Sequence, residues 1–151
     1  VLSNYLTSDT VQFAANLGGW RDAITRVSAP LLESGAITDA YVDAMTDSIA
    51  AGGVYIDLGF GIALAHSRPE HGVVRTGLSY LRVEPAVLLN DDPDHPIDLF
   101  ICLAATDPTG HIETISELAG LLSDDELRTS LLAATTPADV LAVIQRNGTP
   151  E

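Results

Sequence analysis

Residues 97–105 read Ile-Asp-Leu-Phe-Ile-Cys-Leu-Ala-Ala, with no polar position after Asp98. A strand that faces water on one side alternates apolar and polar residues, whereas a strand covered on both faces is apolar throughout. This stretch is therefore expected to be a central strand with layers packed above and below it. The rest of the chain has to supply those layers.

Helical spacing provides them on either side of the run. Trp20, Ala23, Ile24, Val27 and Leu31 line one apolar face, and Pro30 is expected to kink or break that helix near Ala29 because proline lacks the backbone donor. A second helix carries Tyr41, Met45 and Ile49 on one face, with Thr38 as its cap, Ile37 and Val42 as a hydrophobic staple, and Gly52-Gly53 at its end. Toward the C-terminus, one helix is expected from His111 to Leu122. Another opens with the capping box Ser123-Asp124-Asp125-Glu126, and a last one is capped by Thr136 with Pro137 in its first position.

Strand signals lie between the two helical groups. Val11 to Ala14 is a short candidate, Val54, Ile56 and Leu58 alternate with Tyr55 and Asp57, and Gly59-Phe60-Gly61 turns the chain into the apolar Ile62 to Ala65. Residues 73–83 are β-prone, and 90–96 form a turn. Helices, then strands, then helices imply an α/β or α+β sandwich, a mixed central sheet flanked by helices in one domain over residues 1–151, without regular βαβ alternation.

Composition narrows the function. Of the 151 residues, 46% are hydrophobic, enough for a sizeable core. No apolar run approaches the roughly 20 residues that span a bilayer, and Val1 to Tyr5 lack signal-peptide character, so a cytoplasmic location is expected. Twenty-one acidic residues face seven arginines and no lysine, a net charge of −14. Nucleic acid and anionic membranes recruit basic surfaces, so neither is an expected partner. Cys102, the only cysteine, lies inside the central run and reads as a small buried hydrophobe.

Two histidines stand at reactive positions: His66 at the end of the 62–65 strand, before the polar turn Ser67-Arg68-Pro69-Glu70, and His111 where a helix is expected to begin. His95, between Asp94 and Pro96, reads as a solvated side chain. A metal site is not expected, because there is no His-Glu-x-x-His and Pro69 separates His66 from His71. No Gly-x-Ser-x-Gly elbow, phosphate loop or dinucleotide fingerprint occurs either, and no cofactor is expected. A neutral imidazole is nucleophilic, and phosphoryl oxygens need nearby donors, which Ser67, Arg68, His111 and the N–H groups of the following helix could supply.

Several segments resemble the IIA components of the bacterial phosphoenolpyruvate-dependent sugar phosphotransferase system, in the mannitol/fructose class and most closely its ascorbate-type branch. The early region with Trp20, then Gly35-Ala36-Ile37-Thr38, Tyr41-Val42 and Ala44-Met45 are similar to the family's lead-in. Gly61-Ile62-Ala63-Leu64-Ala65-His66 resembles its phosphorylation motif, and Ser67 to Val73 its His-Ala-Arg-Pro-Glu-x-Gly-Val continuation. Ala104-Ala105-Thr106-Asp107, His111 and Leu118 to Asp124 resemble its second-histidine segment and following helix.

The resemblance implies that His66 accepts a phosphoryl group through Nε2 and that His111 stabilises it. It implies HPr as donor, the cysteine of a IIB component as acceptor, and the IIC membrane permease as the indirect beneficiary. An alternative within the same resemblance is a regulatory module whose phosphorylation state is read by a partner protein. Two departures stand out. Ala65 occupies the position where the family usually has proline, and Asp47-Ser48 replaces an Arg-Glu pair found in many members, which leaves Arg68 as the nearest cation.

Overall fold

A computed structural model describes residues 5–148, apart from the side chains of Tyr55, Pro108, His111 and Asn147. Five strands among these residues form one mixed sheet: β1 (Val11–Ala15), β2 (Asp57–Gly59), β3 (Ile62–Ala65), β4 (Gly77–Leu88) and β5 (Pro96–Ala104), in the order β1-β4-β5-β3-β2. The apolar run is the central strand, as its composition requires. It pairs antiparallel with β4 and parallel with β3, and Ala65 lies in register with Cys102.

The period of two along β3 and β5 sorts their side chains into two cores. Ala63, Ala65, Phe100, Cys102 and Ala104 face helices α1 (Trp20–Glu33) and α2 (Asp39–Ala50). Ile62, Leu64, Leu99, Ile101 and Leu103 face α3 (Pro108–Ser123), α4 (Asp125–Ala133) and α5 (Pro137–Gly148). Apart from Phe100, these positions of β3 and β5 carry small residues on the α2 side where the α3 side carries large ones. Small side chains let a helix lie close to the sheet, and α2 answers with the large Tyr41 and Met45, both fully buried.

Pro30 does not end α1, which runs on to Glu33. A proline at that position withholds the N–H that Arg26 O would receive one turn earlier. Gln12 of β1 replaces it, its side-chain Nε2 donating to Arg26 O at 2.7 Å. Ser79 Oγ likewise donates to Val27 O, so β4 also supports the last turns of the helix.

Other boundaries differ from the sequence expectation for identifiable reasons. Thr38 precedes α2, but its side chain makes no capping bond; Oγ1 donates to Gly72 O at 3.3 Å instead. Residues 54–56 form a 3-10 turn, which leaves only Asp57–Gly59 as strand. The β-prone stretch from Val73 enters β4 only at Gly77, and Val73 itself forms an isolated bridge with Ile37. Ser123 cannot cap α4 because it is the last residue of α3; the cap is Asp124, whose Oδ1 accepts from Glu126 N and Leu127 N, each at 3.0 Å. At α5, Thr136 Oγ1 accepts from Asp139 N at 3.2 Å, as its position predicts.

His95 is not a free solvated side chain. Its Nδ1 lies 2.8 Å from Asp57 Oδ2, and that hydrogen bond is the main cause that raises its pKa. The pair links the start of β2 to the residue before β5, at the end of β5 remote from Ala104.

The Gln12 bond makes a specific prediction. Gln12→Ala should lower stability by about 1 kcal/mol, the typical net value of one hydrogen bond. In a Pro30→Ala background, where residue 30 regains its own donor, the cost should shrink. Denaturant unfolding of the four proteins checks this, and equal costs in both backgrounds would contradict the account.

Candidate active site

Because β3 and β5 are parallel neighbours, their C-terminal ends open at the same edge of the sheet. Crevices at the carboxyl ends of adjacent strands are the usual ligand positions in α/β sheets. The chain leaves β3 directly into His66, and it leaves β5 through Ala105, Thr106 and Asp107 into α3. Topology alone therefore brings His66 and the first turn of α3 to one end of the sheet.

His66 is half-buried, and its Nδ1 sits 2.8 Å from Leu64 O. A carbonyl oxygen only accepts, so in the neutral ring Nδ1 carries the proton and Nε2 keeps its lone pair. Ala65, at the position where the resemblance has proline, is completely buried and paired with Cys102, so ladder register holds the residue before His66.

The residue after His66 is tied down from beneath. Tyr41 is fully buried, and its hydroxyl accepts from Ser67 N at 2.9 Å. Its single proton goes to Leu103 O at 2.7 Å, the nearer of two carbonyls; Ser67 O is 3.2 Å away. Burial holds the phenol well above its ordinary pKa, so it remains a donor. One side chain of α2 thereby joins the segment after His66 to the end of the central strand.

A 3-10 turn over Pro69–His71 follows, and α2 fixes that as well. Gly72 O accepts from Thr38 N at 3.0 Å and from Thr38 Oγ1 at 3.3 Å. Gly72 has φ +137°, and a Cβ there would lie 2.1 Å from Thr38 Oγ1, so only glycine fits. Ser67 Oγ meets Nδ1 of His71 at 2.6 Å across the turn. Arg68 is exposed, and no described residue pairs with its guanidinium.

His111 lies in the first turn of α3, and its side chain is outside the described residues. The helix begins at Pro108 rather than at His111, because proline is well suited to a first helical position. Its unbonded N–H groups therefore precede His111 in the chain. Thr76 Oγ1 accepts from Thr106 N at 3.3 Å, which fastens the loop entering α3 to the loop entering β4.

Cys102 is completely buried, and desolvation pushes its thiol up to about 12, so it offers no thiolate to this site. Among the described residues, no group of three or more His, Cys, Asp or Glu is placed to hold a metal ion, and no helix is long and apolar enough to cross a membrane.

Residues 4–147 match the family of the phosphoenolpyruvate-dependent sugar phosphotransferase system, EIIA 2. The chain belongs to that family. It is 33% identical over 145 residues to the mannitol-specific cryptic phosphotransferase enzyme IIA component of Escherichia coli (strain K12), covering 96% of this chain and 98% of the relative. It is 30% identical over 138 residues to the ascorbate-specific PTS system EIIA component of the same strain, covering 91% and 90%. The solution structure of the cryptic mannitol-specific IIA from Escherichia coli superposes with a TM-score of 0.88 at 33% identity over 96% of this chain and 98% of that one. The crystal structure of IIA mannitol from Escherichia coli gives 0.77 at 25% identity, over 92% and 98%. This protein is thus a type 2 IIA component of a sugar phosphotransferase system, and its mixed sheet with helices on both faces is the mannitol-type IIA fold.

In this IIA component, sequence reasoning placed His66, Ser67 and Arg68 in one turn but missed the residues that hold it. Tyr41 reads as a core residue on an apolar face, and Thr38 reads as a helix cap; their contacts with Ser67 and Gly72 span 26 and 34 residues of chain. Tyr41→Phe removes only the hydroxyl. It should cost about 1–3 kcal/mol, because Ser67 N–H and Leu103 O both lose their partner. Denaturant unfolding checks the value, and a cost near zero would show that the hydroxyl does not hold the segment.

Proposed function

We propose that His66 is the residue of this IIA component that carries the phosphoryl group, on Nε2. The observation that carries this reading is the 2.8 Å contact between His66 Nδ1 and Leu64 O, which leaves Nε2 as the nucleophilic nitrogen. HPr is the donor. The Nε2 lone pair attacks phosphorus, a new N–P bond forms, the N–P bond in HPr breaks, and the released pair returns to the HPr imidazole. Onward transfer forms an S–P bond with the cysteine thiolate of a IIB component and returns the other pair to Nε2.

No proton has to move at Nε2 in either direction. The Nδ1–H stays on Leu64 O throughout, where the carbonyl dipole stabilises the positive character of the substituted ring. His111, Ser67 and Arg68 supply donors and charge to the phosphoryl oxygens, the electrostatic part of phosphoryl transfer. Neither metal nor nucleotide has a role in this scheme. Cys102 is too deeply buried to accept the group, so the accepting thiol is in another protein. The IIC membrane permease is an indirect partner that moves the sugar. Relatives specific for mannitol and for ascorbate match this chain about equally, and transfer to a IIB of each type separates the two uptake systems.

Incubation with phosphoenolpyruvate, enzyme I and HPr should give one acid-labile phosphoryl adduct, located at His66 by mass spectrometry, and His66→Ala should take up none. His111→Ala should still accept but transfer onward more slowly. An adduct retained in His66→Ala would refute the assignment of the acceptor.

A further inference from the structure

The hydrogen bond between Ser67 Oγ and His71 Nδ1 has two possible directions. A serine hydroxyl has one proton, and a ring nitrogen donates or accepts according to its own protonation. When Nδ1 of His71 is bare, Ser67 spends its proton on that nitrogen and has only lone pairs left for other groups. When Nδ1 is protonated, His71 donates to Oγ, and the hydroxyl proton is free for another acceptor. A phosphoryl group on the preceding residue is negatively charged and offers only acceptor oxygens, so it favours the second arrangement.

Both members of the pair are held in place by the backbone around them. The Ser67 N–H is fixed by Tyr41, and His71 sits on the 3-10 turn that begins with Pro69, with its N–H on Arg68 O at 3.0 Å. Thr38 clamps the next carbonyl, that of Gly72. The 2.6 Å contact between their side chains is short, and it closes across a turn whose backbone is fixed at both residues.

We propose that His71 is a positioning residue for phosphoryl transfer: with Nδ1 protonated, it orients the Ser67 hydroxyl so that its proton points to the phosphoryl group on His66. This rests on His66 as the acceptor. Protonation of His71 and phosphorylation of His66 then favour each other. Arg68 and Glu70 stand on the same turn as His71, and α2, the helix packed against that turn, carries Asp39, Asp43 and Asp47.

Single-turnover acceptance from phospho-HPr tests the proposal in five proteins: wild type, Ser67→Ala, His71→Ala, His71→Asn and the Ser67→Ala/His71→Ala double variant. Each alanine variant should accept roughly 2- to 10-fold more slowly, the equivalent of one hydrogen bond. The double variant should be no slower than either single one, because the two residues act as a unit. His71→Asn carries an amide donor at the position of Nδ1 at every pH and should restore acceptance. The ratio of wild-type to His71→Asn rates should fall as pH rises and the His71 ring of the wild type loses its proton.

Wild-type rates in His71→Ala, multiplicative losses in the double variant, failure of His71→Asn to rescue, or a ratio independent of pH would each overturn the proposal. Peptide mapping of the wild-type adduct keeps the two readings apart. A phosphoryl group found elsewhere than His66 would defeat the acceptor assignment itself and this proposal with it, whereas an adduct on His66 with unaltered variant rates would defeat the role of His71 alone.

Discussion

A single phenol hydroxyl joins the three parts of the molecule that must keep fixed positions. Tyr41 O–H receives the Ser67 N–H and gives its own proton to Leu103 O, so α2, the turn after His66 and the central strand share one buried junction. Burial makes this bond strong in its consequences: a group removed from water and then left unpaired costs more than the bond itself contributes. The junction is possible because Ala63, Ala65, Cys102 and Ala104 are small. Larger residues on that face would hold α2 away from the sheet and its phenol away from Ser67.

The site follows from topology as well as from this contact. Parallel pairing of β3 with β5 puts the last residue of one strand beside the end of the other, and α3 starts a few residues later at the same edge. His66 is thus delivered by a strand buried at all four positions, with its ring turned back onto Leu64 O. The turn that follows is held at both ends by α2, through Tyr41 at Ser67 and Thr38 at Gly72. As the proposed acceptor, a ring presented in this way spends little conformational freedom when phosphorus approaches.

Much of this was readable from the chain. The unbroken apolar run marked β5 because only a strand covered on both faces tolerates that composition, and the alternation of small and large residues along β3 follows from a period of two. Helix faces such as Trp20, Ala23, Ile24, Val27 and Leu31 were equally plain. What escaped depends on partners distant in sequence. Pro30 reads as a kink or a break because its remedy, Gln12, belongs to a strand 18 residues earlier; Thr38 reads as a cap because nothing local shows that Gly72 O takes its hydroxyl. His95 looked solvated because Asp57 lies 38 residues before it. Within the site, His66, Ser67 and Arg68 were legible as a cluster, and the start of α3 was displaced because Pro108 begins a helix better than it continues a loop. The link from Ser67 to His71 depends on the 3-10 turn, and no helical or strand period announces it.

The central claim is that the fold keeps His66 Nε2 unprotonated by fixing the proton on Nδ1. Nitrogen-15 NMR of the histidine rings tests it most directly, before and after phosphorylation. The account predicts a protonated Nδ1 and an unprotonated Nε2 in the neutral His66 ring, then phosphorus coupled to Nε2. A neutral ring protonated at Nε2, or phosphorus bonded to Nδ1, would contradict it.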